Sequence, residues 1–131
     1  MSMSPELMKT TLKGYFTQMS AMNPEGWVEL FTPDAKIADP VGKPPAIAHE
    51  KATAFFQFLA QFYERLEITP ETPFISGTGA AVKWQMKVVS KTGKTAQTEG
   101  ISVFEFNEAG KIITLSSYWD EPQLIAQLKG T

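Results

Sequence analysis

Apolar residues recur every three or four positions in the first half of the chain and every second position in the second half, so the pattern predicts helices followed by strands. Ser4-Pro5-Glu6 reads as a helix start, with a serine cap and a proline at the first helical position. Met8, Leu12, Tyr15, Met19 and Met22 then make one apolar face. Asn23-Pro24 repeats the start signal, and Glu25 to Phe31 reads as a short second helix that Thr32-Pro33-Asp34 ends. Ala35 to Asp39 is a short strand, followed by a stiff loop from Pro40 to Ala48. His49 to Leu66 reads as a third helix with Phe55, Phe56, Leu59, Phe62 and Tyr63 as its stripe, and Pro70 and Pro73 mark its exit.

The period then changes to two. Val82, Trp84, Met86 and Val88 alternate with Lys83, Gln85 and Lys87, as in a half-buried strand. Thr95 to Phe106 is a second strand, with Ile101, Val103 and Glu105 on one face and Ser102, Phe104 and Phe106 on the other. Asn107-Glu108-Ala109-Gly110 is a hairpin turn, and Lys111 to Trp119 is a third strand. Glu121 to Leu128 is either a terminal helix or a loose tail. This order predicts an α+β fold in which three N-terminal helices pack on one face of a curved antiparallel sheet. No repeat or linker divides it, so residues 1–131 read as a single domain.

Composition narrows the functions. The chain has 131 residues, enough for one domain with a genuine core. Its formal net charge is -2, and acids and bases are interspersed. Without a basic stripe, nucleic acid is not an expected partner. No run is long enough to span a membrane, and Met1-Ser2-Met3-Ser4-Pro5 lacks the pattern of a signal peptide. The absence of cysteine removes thiol chemistry and agrees with a cytoplasmic location. With His49 the sole histidine, a histidine metal site or a serine triad is not expected. No metal or cofactor is implied.

The residue with the most chemistry is Asp39. It ends a strand-like run just before the loop Pro40-Val41-Gly42-Lys43-Pro44-Pro45, in a chain otherwise rich in apolar and aromatic residues. Such acids usually cap turns. Facing an apolar hollow instead, a carboxylate holds its proton more tightly than in water and becomes a candidate base for carbon acids.

Three stretches carry a family resemblance: Asp39-Pro40-Val41-Gly42-Lys43-Pro44-Pro45 with the following Ala54-Phe55-Phe56; Phe106-Asn107-Glu108-Ala109-Gly110-Lys111-Ile112 running to Ser117-Tyr118-Trp119; and Tyr15 at its distance before the Asp-Pro pair. Over nearly its whole length the chain resembles the ketosteroid isomerases of the NTF2-like (SnoaL-like) superfamily. The resemblance implies a cone-shaped, cystatin-like barrel around a deep apolar pocket, and a homodimer formed through the sheets. It implies that Asp39 is the base and Tyr15 a hydrogen-bond donor to the substrate's carbonyl oxygen. Proton transfer by Asp39 would then move a double bond into conjugation with a ketone in a hydrophobic substrate.

The chain departs from that pattern at the second donor, which in the family is a protonated acid and here is Ser102. Two supporting tyrosines correspond to Phe31 and Phe56. Losing one oxyanion donor costs about two to three orders of magnitude in rate, so weak isomerase activity or another reaction with the same base is expected. The candidate pocket residues are Trp119, Trp84, Met86, Leu115, Phe56 and Phe104. The alternatives are a protein that binds an apolar small molecule unchanged, a related cyclase or aldol enzyme, and an interaction module whose core is plugged by Phe31, Phe56 and Trp119.

Overall fold

The computed structural model describes residues 4–129. The reading of Met1–Met3 as lacking a leader lies outside the described residues. Helix α1 spans Pro5–Ala21; the Ser4 side chain accepts a hydrogen bond from the Glu6 amide at its start. Met22 closes it in a left-handed conformation, donating its amide hydrogen to Gln18 and Met19 carbonyls. Met8, Thr11, Leu12, Tyr15, Phe16 and Met19 are its buried face. Thr11 Oγ1 donates to the Gly110 carbonyl at 2.8 Å and so ties α1 to the far hairpin.

Helix α2 is shorter than expected, Pro24–Val28. Strand β1 takes over at Phe31 and runs to Ala38, through Pro33. Proline is tolerated because the register of β1 shifts between Phe31 and Lys36, where no regular ladder donor is needed. A two-residue strand, β2 (Ala46–Ile47), interrupts the expected loop.

Helix α3 covers Ala48–Phe62, four residues short of the expected end. The chain continues directly into β3, Tyr63–Pro70. Leu66 and Ile68 point inward while Arg65, Glu67 and Thr69 point out. This alternation is what a helical reading of the segment hides. Of the expected stripe, Phe56 and Leu59 are buried, but Phe62 faces outward.

The remaining strands are β4 (Phe74–Ser76), β5 (Gly79–Ser90), β6 (Thr95–Phe106) and β7 (Ile112–Trp119), and helix α4 (Glu121–Lys129) follows. The sheet order is β2-β1-β7-β6-β5-β3, with β4 also on β5. All pairings are antiparallel except β1 with β7, which is parallel. The fold is therefore α+β, with helices on a curved, unclosed sheet that is antiparallel but for this one pair. α1 packs on β3, α3 on β1 and α4 on β6. As expected, Ser102, Phe104 and Phe106 of β6 face the core and Ile101, Val103 and Glu105 face out. No described helix is long and apolar enough to cross a membrane.

Candidate active site

The parallel pairing of β1 with β7 places the candidate base. Ala38 pairs with Ser116, so Asp39 leaves the strand level with the end of β7. The Val41 amide donates to the Ser117 carbonyl at 2.8 Å and holds the loop there. Two residues further along β7, Trp119 Nε1 donates to Asp39 Oδ1 at 2.7 Å. No other side-chain hydrogen bond to this carboxylate is found among the described residues.

Burial raises the Asp39 pKa from its ordinary 3.8. The Trp119 hydrogen bond opposes that rise, the nearby Glu121 charge adds to it and Lys43 reduces it. Desolvation outweighs the hydrogen bond, so the carboxyl is a stronger base than a solvated aspartate.

Asp39 lines a cavity of about 260 Å³ with Tyr15, Ser102, Trp84, Met86 and Trp119, between the helices and the sheet. Tyr15 is almost fully buried. Burial, and secondarily the Asp39 charge, push its pKa well above the ordinary 10.0, while the Trp27 indole works the other way. Tyr15 therefore stays a neutral phenol at working pH. No described group accepts its proton, which is free for a ligand. Its ring is held edge-on by Phe16 at 4.9 Å and Phe104 at 5.1 Å between centroids.

Trp27 is fully buried. Its indole N–H, alone among the described buried side-chain atoms, has no hydrogen-bond partner. It acts on the Tyr15 hydroxyl from nearby without closing a hydrogen bond, a polar neighbour in a region where Phe31 and Phe56 supply none.

Ser102 is buried, and its Oγ accepts from Trp84 Nε1 at 2.8 Å. It also shares a 2.7 Å hydrogen bond with Ser117 Oγ, in which either can donate. An indole only donates, and two hydroxyls have two protons. One proton is used between the serines, so the other remains available to a ligand from the cavity wall, which both serines line.

Three of the expected pocket residues lie elsewhere. Leu115, Phe56 and Phe104 do not line the cavity; they sit one layer behind it, fully packed in the core. Phe104 braces Tyr15, and Phe56 lies against Trp27 at 5.4 Å. Phe31, expected as a possible plug, also packs on Trp27 behind the wall. Trp27, Ser117 and Glu121 are not singled out for the site by the sequence, and Lys43 reads there as a surface lysine that could stand at a pocket mouth. Ser117 was within reach, because antiparallel alignment of the last two strands sets it opposite Ser102. Lys43 and Glu121 form an ion pair at the cavity wall. His49 stands apart at the start of α3, its Nε2 3.1 Å from the Phe31 carbonyl oxygen. No cluster of three or more acidic, histidine or cysteine side chains suited to a metal ion occurs among the described residues.

Gly100 makes the two-indole wall possible. It pairs with Trp84 on one side and Trp119 on the other. A methyl group there would lie 2.6 Å from the Trp84 ring, 2.7 Å from the Tyr118 carbonyl and 2.8 Å from Trp119 Cβ.

Comparisons with known proteins agree with this architecture. A family model for the SnoaL-like domain matches residues 12–115. The epoxide hydrolase/cyclase-like enzyme SalBIII, of pyran ring formation in the polyether salinomycin, is 21% identical with a TM-score of 0.78; the match covers 90% of this chain and 94% of that one. A protein from Xanthomonas campestris pv. campestris, described as a candidate polyketide cyclase, is 17% identical with a TM-score of 0.83 over 94% of this chain and 97% of the other. An NTF2-like protein of unknown function from Burkholderia pseudomallei K96243 has a TM-score of 0.80 at 15% identity, over 95% and 98% of the two chains. At these identities the likeness is one of fold.

Replacing Gly100 with Ala is expected to cost about 1–3 kcal/mol of stability through overpacking and to shift the tryptophan fluorescence. Chemical denaturation with emission spectra reads both, and an unchanged midpoint and spectrum would mean that the indoles are not held as described.

Proposed function

We propose that this chain, which belongs to the SnoaL-like domain family, catalyses an intramolecular ring closure on a hydrophobic ketone, with Asp39 as the base. The observation carrying this reading is a desolvated carboxylate, held by Trp119, on the same apolar cavity as the free phenol of Tyr15.

The Asp39 carboxylate removes a proton from the carbon next to the ketone. The C–H electron pair moves into the carbonyl and generates an enolate. Tyr15, assisted by the spare hydroxyl proton of the Ser102–Ser117 pair, donates hydrogen bonds to the oxygen as its charge develops. The enolate carbon attacks a second carbonyl of the same molecule, a C–C bond forms, and the new alkoxide takes back the proton held by Asp39. One base serves both proton transfers and no co-reactant is consumed. Trp27 favours charge on the Tyr15 oxygen and so supports its role as donor.

Two cyclase-type structural neighbours favour ring closure. Ketosteroid isomerisation would use the same enolisation with reprotonation at another carbon, but no observation here favours it. The cavity, at about 260 Å³, lies just under the ~300–1,000 Å³ usual for small-molecule sites. It suits one reacting ring better than a whole polycycle. An open cavity, with Phe31 and Phe56 behind its wall, also favours an enzyme over a plugged interaction module.

The outer face of the sheet supports a homodimer as its assembly. Ile101 and Tyr118 are cross-strand neighbours, Val103 adjoins them, and all three are exposed. Sedimentation should show twice the chain mass of 14.5 kDa for the wild type and a monomer for Ile101→Lys. A wild-type monomer at micromolar concentration overturns this assembly.

For the chemistry, Asp39→Asn is expected to lower turnover of a 1,5-diketone by about 10²–10⁴-fold, and Tyr15→Phe by about 10²–10³-fold. The acid limb of the wild-type pH profile should fall where Asp39 takes up its proton, above the ordinary 3.8. Activity rises with pH through that limb because the carboxylate is the working form. Turnover by Asp39→Asn at the wild-type rate rejects the assignment.

A further inference from the structure

The cavity is not closed at its mouth. Phe58, Tyr63 and Glu121 line it and also line a second hollow of about 500 Å³ between α3 and α4. That groove is floored by Phe62, Ile125 and Leu128. Phe58 and Phe62 are 54% and 53% exposed, and their rings lie 4.8 Å apart. Ile125 is 40% exposed on the facing helix.

The helical pattern does not require this exposure. Phe56 and Leu59 already bury the inner face of α3, so Phe58 and Phe62 form a separate aromatic strip beside the cavity mouth. The facing wall is fixed in place. Gln127 of α4 receives a hydrogen bond from the Gln97 amide at 2.9 Å and donates one to the Gln97 carbonyl at 2.8 Å. Leu124 is fully buried beneath the helix, and Glu121 pairs with Lys43 at its start.

From this continuity we infer that the substrate is longer than the cavity: its reacting ketone sits between Asp39 and Tyr15, and an unreactive apolar chain leaves the mouth and lies in the α3–α4 groove. The inference rests on the cavity being the site of the reacting head, as argued above, and adds the class of molecule: an elongated, amphipathic ketone with a hydrocarbon body of roughly the reach of an octyl chain. The groove then contributes affinity through desolvation of apolar surface, at a distance from the groups that move protons. Binding energy from such a remote part can hold the head against the base.

A series of 4-n-alkylphenols, from 4-methylphenol to 4-octylphenol, tests this by titration calorimetry on the full chain. The phenol is a neutral head for the Asp39–Tyr15 site, and the alkyl chain is the probe of the groove. Phe62→Ser and Ile125→Ser are the test variants, because both side chains are exposed and neither belongs to the buried core. The expected result is that each variant binds 4-octylphenol about tenfold more weakly and 4-methylphenol within twofold of the wild type. Equal affinity of wild type and both variants for 4-octylphenol overturns the inference, as does a parallel loss for both phenols. The readout is binding, so the outcome is independent of whether Asp39 moves a proton. Failure of the catalytic reading shows instead as undiminished turnover by Asp39→Asn.

Discussion

The site depends on one opposition: a carboxylate is taken out of water and given a single indole hydrogen bond in return. A hydrogen bond to a charged group contributes about 1.5–3 kcal/mol, and the Asp39–Trp119 contact is short, at 2.7 Å. Burial still wins, since the Asp39 pKa is raised rather than lowered. Trp119 thus orients the base without quenching it. A second strong donor, such as a bidentate arginine, would have left a better-stabilised and weaker base.

The fold serves this opposition. The parallel pairing of β1 with β7 sets the end of one strand beside the end of the other, so residues 80 positions apart in sequence meet. Gly100 leaves room for Trp84 and Trp119 to lean into one wall. The same two indoles divide the labour, Trp119 holding Asp39 and Trp84 holding Ser102. Tyr15 comes from α1, which Thr11 pins to the opposite hairpin. The phenol therefore sits on a packed helix, and the base one residue beyond β1, in a loop that the Val41–Ser117 hydrogen bond and the Trp119 indole hold to β7.

Much of this was legible in the order of residues. Helical and alternating periods gave the α+β class, and the cap signals at Ser4 and Asn23 gave both early helix starts. Asp39 and Tyr15 stood out because of the Asp-Pro turn and the family resemblance. The segment after Phe62 reads as helix because Tyr63 and Leu66 continue the spacing of Leu59 and Phe62, while Leu66 and Ile68 alternate too briefly to announce a strand. The parallel β1–β7 contact leaves no local mark, so the meeting of Asp39 with Trp119 could not be read from the chain. Leu115, Phe56 and Phe104 were assigned to the pocket because apolar character alone does not separate a wall from the layer behind it. Trp27 was passed over for a similar reason, since its value lies in an unpaired indole hydrogen that only packing exposes.

The most direct test is the ionisation of the Asp39 side chain itself, followed by carbon NMR on protein labelled at aspartate carboxyl carbons and assigned with Asp39→Asn. The expected midpoint lies above the ordinary 3.8 and moves higher still in Trp119→Phe, where the lowering indole hydrogen bond is gone. A wild-type midpoint at or below the solvated value, or one that Trp119→Phe leaves in place, would contradict it.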